Sequence, residues 1–241
     1  MGGGSFIDLL ASIYYEESFS NSAIWFLLSL LIVNIIFYFI FSVTDLITNN
    51  KTFFIVLLSM IIGFVGLLLS YYNINLPFYI DTSLTALPFF MAGFIIKKKT
   101  DLMIPNKLDK YTFWIILICF AIVCVFSDGR IKFITNYYSQ QSYITLYPLG
   151  LIGTIGILYC AKYLTHLPFV SYLGRYSIIV LVTHELIYPR LKPVVSLIVG
   201  GKMVEIQFVL TLILTLLVCF LLIPIMKRFL PYVTAQKDVF K

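Results

Sequence analysis

The chain is poor in charge. Of its 241 residues 12% are Asp, Glu, Lys or Arg, against about 25% in soluble domains. So few charges cannot cover a water-exposed surface, which excludes a soluble globular enzyme. A disordered linker is excluded from the other side, because 61% of the residues are hydrophobic and the mean hydropathy is +0.99. Cysteine is scarce too. Cys119, Cys124, Cys160 and Cys219 all lie inside apolar stretches, with no C-x-x-C or Cys/His spacing. That excludes a secreted disulfide scaffold and predicts buried membrane thiols, neither bridged nor metal-bound. The first 22 residues contain no Lys or Arg, so the charged start of a signal peptide is missing. There is no Walker motif, dinucleotide fingerprint, nucleophile elbow or zinc motif. Nor is there an internal repeat, which leaves an inverted-repeat transporter without support.

What is present is long apolar sequence. Seven segments stand out, at 23–41, 53–72, 84–96, 112–126, 144–160, 176–189 and 203–225. A spanning helix takes about 20 residues, which the first, second and last supply readily. The third and sixth are short and need flanking residues or shelter inside a bundle. The run 194–199 (VVSLIV) is too short to span and predicts an interfacial or re-entrant piece. Continuous apolarity without alternation argues against barrel strands. The expected fold is an all-α polytopic membrane bundle of about seven transmembrane helices over residues 23–226.

Charge orients it. The 17 Lys and Arg exceed the 11 Asp and Glu, for a net charge of +6. They lie mainly between apolar segments, so the excess predicts membrane topology and no nucleic-acid partner. With the N-terminus outside, the inner loops hold 12 of these cations and the outer loops hold Arg130, Lys132, Arg190, Lys192 and Lys202. The positive-inside rule favours that orientation. Residues 1–22 are then an extracytoplasmic tail and 227–241 a cytoplasmic one.

Polar groups at membrane depth are costly and are candidates for function. His184 and Glu185, in IIVLVTHELIYPR, are the one place where a His and a carboxylate enter an apolar segment together. Neighbours on a helix point about 100° apart, so they need not touch. They bind substrate or move protons, or else His184 bonds a neighbouring helix while Glu185 reaches water. Arg175 is either a phosphate ligand or a topology anchor. His166 is expected in a solvated inner loop, and Asn34 in a helix–helix hydrogen bond. Asp81 and Thr82 are expected to cap a helix starting near Ser83, or to line a site at its mouth. Pro88 and Pro148 should kink their helices. Gly150, Gly153 and Gly156 should allow close helix packing.

Four stretches resemble the acyltransferase 3 family of integral-membrane O-acyltransferases. They are SAIWFLLSLLIVNIIFY from Ser22, ALPFFMAGFIIKK from Ala86, FVSYLGRYSIIVLVTHELI from Phe169, and IPIMKRFLPY from Ile223. They follow the family's order and spacing. The resemblance implies transfer of an acyl group, acetyl first among candidates, from acyl-CoA (acetyl-CoA) as donor substrate to a hydroxyl of an extracytoplasmic glycan or polysaccharide. It also implies a bacterial cytoplasmic membrane. It begins at the family's fourth helix, so three further helices are expected upstream, which would place residue 1 outside as the charge count does. The family's catalytic His and its paired arginines have no counterpart in these residues, so the catalytic residue is unassigned. By the resemblance, His184 and Glu185 support or line the acceptor path, and Arg175, Lys97 and Lys98 hold CoA phosphates. A membrane transporter or flippase remains an alternative, as does an inactive remnant or non-catalytic membrane partner.

Overall fold

The computed structural model describes residues 24–47, 51–99, 111–127, 131–164, 167–199 and 204–229. The expected extracytoplasmic tail 1–22, His166, most of the basic stretch 97–110 and most of the expected cytoplasmic tail 227–241 lie outside them. Eight α-helices are present among the described residues: α1 (Ile24–Ile47), α2 (Lys51–Tyr71), α3 (Ile80–Lys99), α4 (Thr112–Phe126), α5 (Ser142–Leu164), α6 (Pro168–Arg175), α7 (Ser177–Val199) and α8 (Val204–Phe229). A lone antiparallel pair, β1 (Ile131–Lys132) and β2 (Tyr137–Tyr138), folds the loop before α5 into a small hairpin. The chain is therefore an all-α membrane bundle.

Five helices are long and apolar enough to cross a membrane, namely α1, α2, α3 with its preceding turn, α5 and α8. Helix is forced on such segments because hydrocarbon offers the backbone no other hydrogen-bond partner. α4 coincides with the fourth expected segment but has 15 residues. The expected break between 176–189 and 194–199 does not occur. α7 runs through it as one helix of 23 residues, with Pro189 and Pro193 inside. Val195 is fully buried in it, so VVSLIV is the continuation of α7 and not a separate piece. Apolarity lapses there because of Arg190 and Lys192, but the backbone stays helical. The Arg190 side chain turns back to donate to the Leu186 carbonyl.

The described residues form two compact units, 25–164 and 167–229. In the first, α2 and α3 pack closely. The seam on α2 is Ser59, Gly63, Gly66 and Ser70, all buried. Small residues at this spacing let backbones approach. A Cβ on Gly63 would lie 2.3 Å from Cγ of Pro88, and one on Gly66 would lie 2.6 Å from the Thr85 backbone nitrogen. α1 adds Val33, Phe37 and Ile40, which pack with Ile55, Leu87 and Met91. Gly150 receives the Phe89 ring and Gly156 receives Cys119. The glycine triplet of α5 thus serves close packing, as expected. In the second unit α7 and α8 pair along their length. Tyr176, Ile179 and Ile223 are buried together, and α6 lays Phe169 and Tyr172 on Phe220, each with ring centroids 5.1 Å away.

Candidate functional site

Three features hold polar chemistry. The first is a buried cage in the first unit, where α2 ends, α3 begins and the β1–β2 hairpin closes over both. α3 starts at Ile80, earlier than expected. Phe78 and Tyr79 immediately before it both take left-handed backbone angles, with φ of 63° and 58°. Bulky residues pay for that conformation with strain of about 1–3 kcal/mol each. Asp81 and Thr82 consequently lie inside the first helical turn and do not cap it. Thr82 donates to the Phe133 carbonyl at 2.8 Å. Asp81 is 2% exposed. Asn136 hydrogen-bonds its carboxylate, while its Oδ1 meets no partner among the described residues. The helix N-terminus favours a carboxylate there.

Asn136 is the hub of this cage. Its φ of 45° is left-handed, a conformation Asn tolerates better than most residues. Its Nδ2 donates to the Gly66 carbonyl at 3.2 Å. Its Oδ1 accepts from Thr85 at 3.1 Å and from the Tyr138 hydroxyl at 3.0 Å. Burial pushes the Tyr138 phenol well above its ordinary pKa. Tyr143 adds a bond to Ser70 at 3.0 Å. The loop 72–79 and the hairpin 131–138 thus share one end of the unit, as strict alternation of spans requires.

Beside the cage lies the second feature, an apolar cleft of about 570 Å³ between α1, α3 and the hairpin, walled by Trp25, Phe89, Phe90 and Phe133. Ser29 and Thr82 are its polar lining residues, and Ser29 bonds Ser83 at 3.0 Å. Of the expected inner-face cations in this unit, Lys97 and Lys98 are exposed at the end of α3. The Lys98 ammonium lies 6.0 Å from the Phe94 ring centroid. Asn34 does not bridge helices as expected. It donates to the Leu30 carbonyl of its own helix at 2.7 Å, because the side chain faces away from the bundle.

The third feature is in the second unit. His184 and Glu185 sit on α7 with side chains 38% and 35% exposed. Nδ1 of His184 is 3.0 Å from the Val180 carbonyl. A carbonyl accepts, so Nδ1 carries the proton. In the neutral imidazole Nε2 therefore keeps its lone pair. The Glu185 Oε1 is 3.8 Å from that Nε2, so the two neighbours do approach. Arg175 is exposed at the last residue of α6. Lys227, which the sequence marks only as an inner cation, donates to the Tyr176 hydroxyl at 2.7 Å. Among the described residues no group of three His, Cys, Asp or Glu gathers as a metal site would require.

The acyltransferase 3 family model, described as an acyltransferase domain, matches residues 2–225. The chain belongs to that family. It is an integral-membrane acyltransferase, and the matched span covers every described helix except the last residues of α8. No curated protein and no solved structure matches the chain.

Proposed function

We propose that this acyltransferase moves an acyl group, acetyl first among candidates, from acyl-CoA to a hydroxyl of an extracytoplasmic glycan. It works in a bacterial cytoplasmic membrane, with residues 1–22 outside and 227–241 inside. In the reaction the sugar oxygen attacks the thioester carbonyl, an O–C bond forms, and the C–S bond breaks. The hydroxyl proton ends on the departing thiolate. Arg175, Lys97 and Lys98 hold the donor's phosphates.

The observation that carries this reading is the 3.0 Å contact between Nδ1 of His184 and the Val180 carbonyl. With Nδ1–H engaged by the Val180 carbonyl, the neutral ring offers only an acceptor at Nε2. That is the atom needed to hold and orient a sugar hydroxyl. Oε1 of Glu185 lies 3.8 Å from that Nε2 and so flanks the place where the hydroxyl would sit. The pair supports the acceptor, and the catalytic base is unassigned.

The test is the full chain reconstituted in liposomes with acetyl-CoA labelled in the acetyl group and a bacterial surface polysaccharide. Alkali-labile label should appear on the glycan and depend on the protein. Correctly inserted protein that moves no label would contradict the reading and favour a non-catalytic membrane partner.

A further inference from the structure

Three cations gather at one end of the second unit. The bond between Lys227 and Tyr176 joins the last turn of α8 to the residue before α7. Arg175 precedes Tyr176 in the chain, and Arg228 follows Lys227. Both arginines are exposed. Neither they nor Lys227 meets a carboxylate among the described residues. The acids described in this unit, Glu185 and Glu205, are remote. At 1.5 Å of rise per residue Glu185 lies roughly 13 Å along α7 from Tyr176, and Glu205 roughly 33 Å along α8 from Lys227.

A lysine that merely anchors a helix extends its ammonium into water. Lys227 does not behave so. It is partly buried, its Nζ is 2.7 Å from the Tyr176 hydroxyl oxygen, and it is 4.5 Å from that ring's centroid. Tyr176 is itself buried and packs against Tyr172 at 4.9 Å between ring centroids. The phenol oxygen is a neutral acceptor, so it fixes the ammonium without cancelling its charge. One of the three N–H donors is used, and two remain. A fixed ammonium with no carboxylate partner among the described residues, flanked by two guanidinium-bearing residues, suits a multiply charged tetrahedral oxyanion.

We infer that this end of the unit is a phosphate-binding site. Lys227 is its principal ligand, Tyr176 positions Lys227, and Arg175 and Arg228 add charge. Two sources carry the same chemistry, a phospholipid headgroup and the phosphates of a soluble acyl donor. The second source rests on the acyl-transfer reading above, whereas the first does not.

The experiment uses the full chain in nanodiscs of phosphatidylcholine. Coenzyme A is titrated calorimetrically. Separately, part of the phosphatidylcholine is replaced by phosphatidylglycerol and the thermal unfolding midpoint is followed. If the donor is the source, Lys227→Gln weakens coenzyme A binding about tenfold or more, as loss of a charge-assisted bond should. If the headgroup is the source, phosphatidylglycerol raises the midpoint of the wild type and Lys227→Gln abolishes the rise. In either case Lys227→Arg restores the response. Tyr176→Phe, which keeps the ring and removes the oxygen, lowers it by a smaller factor of about three. Should Lys227→Gln fail to fold, the exposed Arg175→Gln replaces it, with a weakening of about threefold. No response to either probe, or the same response in the charge-removing variant, overturns the site. A response to phosphatidylglycerol without coenzyme A binding upholds the site and counts against the acyl-donor reading.

Discussion

The two units differ in how far their polar side chains reach. In residues 25–164 Asn34, Thr44, Thr145 and Thr154 bond the carbonyls four residues earlier, but a second set of polar side chains reaches across the fold. Asn136 joins the hairpin to α2 and α3, Tyr143 reaches Ser70, and Tyr147 reaches the Thr85 carbonyl. In residues 167–229 the polar side chains mostly fold back on their own helices. Thr183, His184, Arg190, Thr211 and Thr215 each pair with the carbonyl four residues earlier. Cross-helix polar contacts there include Thr183 with Cys219 at 3.5 Å and Lys227 with Tyr176. A hydrogen bond across elements fixes tertiary structure, whereas one within a helix leaves it unchanged. The first unit therefore uses its polar residues for stability. On the proposed reading, the second holds His184 Nε2 and the Lys227 ammonium ready for a ligand.

Substitutions break this contrast in order of size. Asn136→Leu removes three buried bonds together and leaves the Tyr138 hydroxyl without this acceptor, while Thr85 keeps the Asp81 carbonyl. It should cost about 3–5 kcal/mol in denaturant unfolding of the solubilised protein. Gly66→Ala puts a methyl 2.6 Å from the Thr85 backbone nitrogen. Backbone cannot step aside as a flexible side chain would, so about 2 kcal/mol is expected. Gly174→Ala in α6 is the counterpart in the other unit. It meets nothing within 4 Å and should stabilise by about 0.5 kcal/mol through the unfolded chain.

Alkali sharpens the comparison further. The Tyr138 phenol, held above its ordinary pKa of 10.0 by burial, binds its proton more tightly folded than unfolded. Its contribution is complete below pH 10 and is lost as the pH climbs towards the folded-state value. Unfolding curves between pH 8 and pH 11 should show that decline, and Tyr138→Phe should flatten it at the cost of about 1 kcal/mol throughout. The smallest effects belong to side chains bonded within their own helix. Thr211→Val and Asn34→Leu should each move the unfolding free energy by less than about 0.5 kcal/mol. A loss of 2 kcal/mol at either would show a tertiary role that the geometry does not contain.

Much of the helical layout is legible in hydropathy alone. The fourth segment coincides with α4, and the first, second, fifth and last differ from their helices by a few residues at the ends. α7 was less legible, because Arg190 and Lys192 interrupt an apolar run that the backbone continues. The start of α3 was misleading for another reason. Asp81 and Thr82 look like capping residues, but a turn with left-handed Phe78 and Tyr79 begins the helix earlier, and no propensity of Phe or Tyr announces that. The glycines of α5 were readable from spacing, whereas the seam Ser59, Gly63, Gly66 and Ser70 emerged only from the structure. Asn136 carried no signal beyond its residue type, since its importance arises from partners 51 and 70 residues away in sequence. The His184–Glu185 pair was visible as a His and a carboxylate entering an apolar segment together. Its tautomer was not, because that depends on a carbonyl oriented by the helix.

The measurement that bears most directly on the account compares His184→Ala with Asn136→Leu in the reconstituted transfer assay and in unfolding. His184→Ala should lower acyl transfer to glycan at least tenfold while leaving the unfolding midpoint within about a degree, since it removes a half-exposed side chain bonded within its own helix. Asn136→Leu should lower the midpoint sharply. Unchanged transfer by a well-folded His184→Ala protein would contradict the division of labour between the two units.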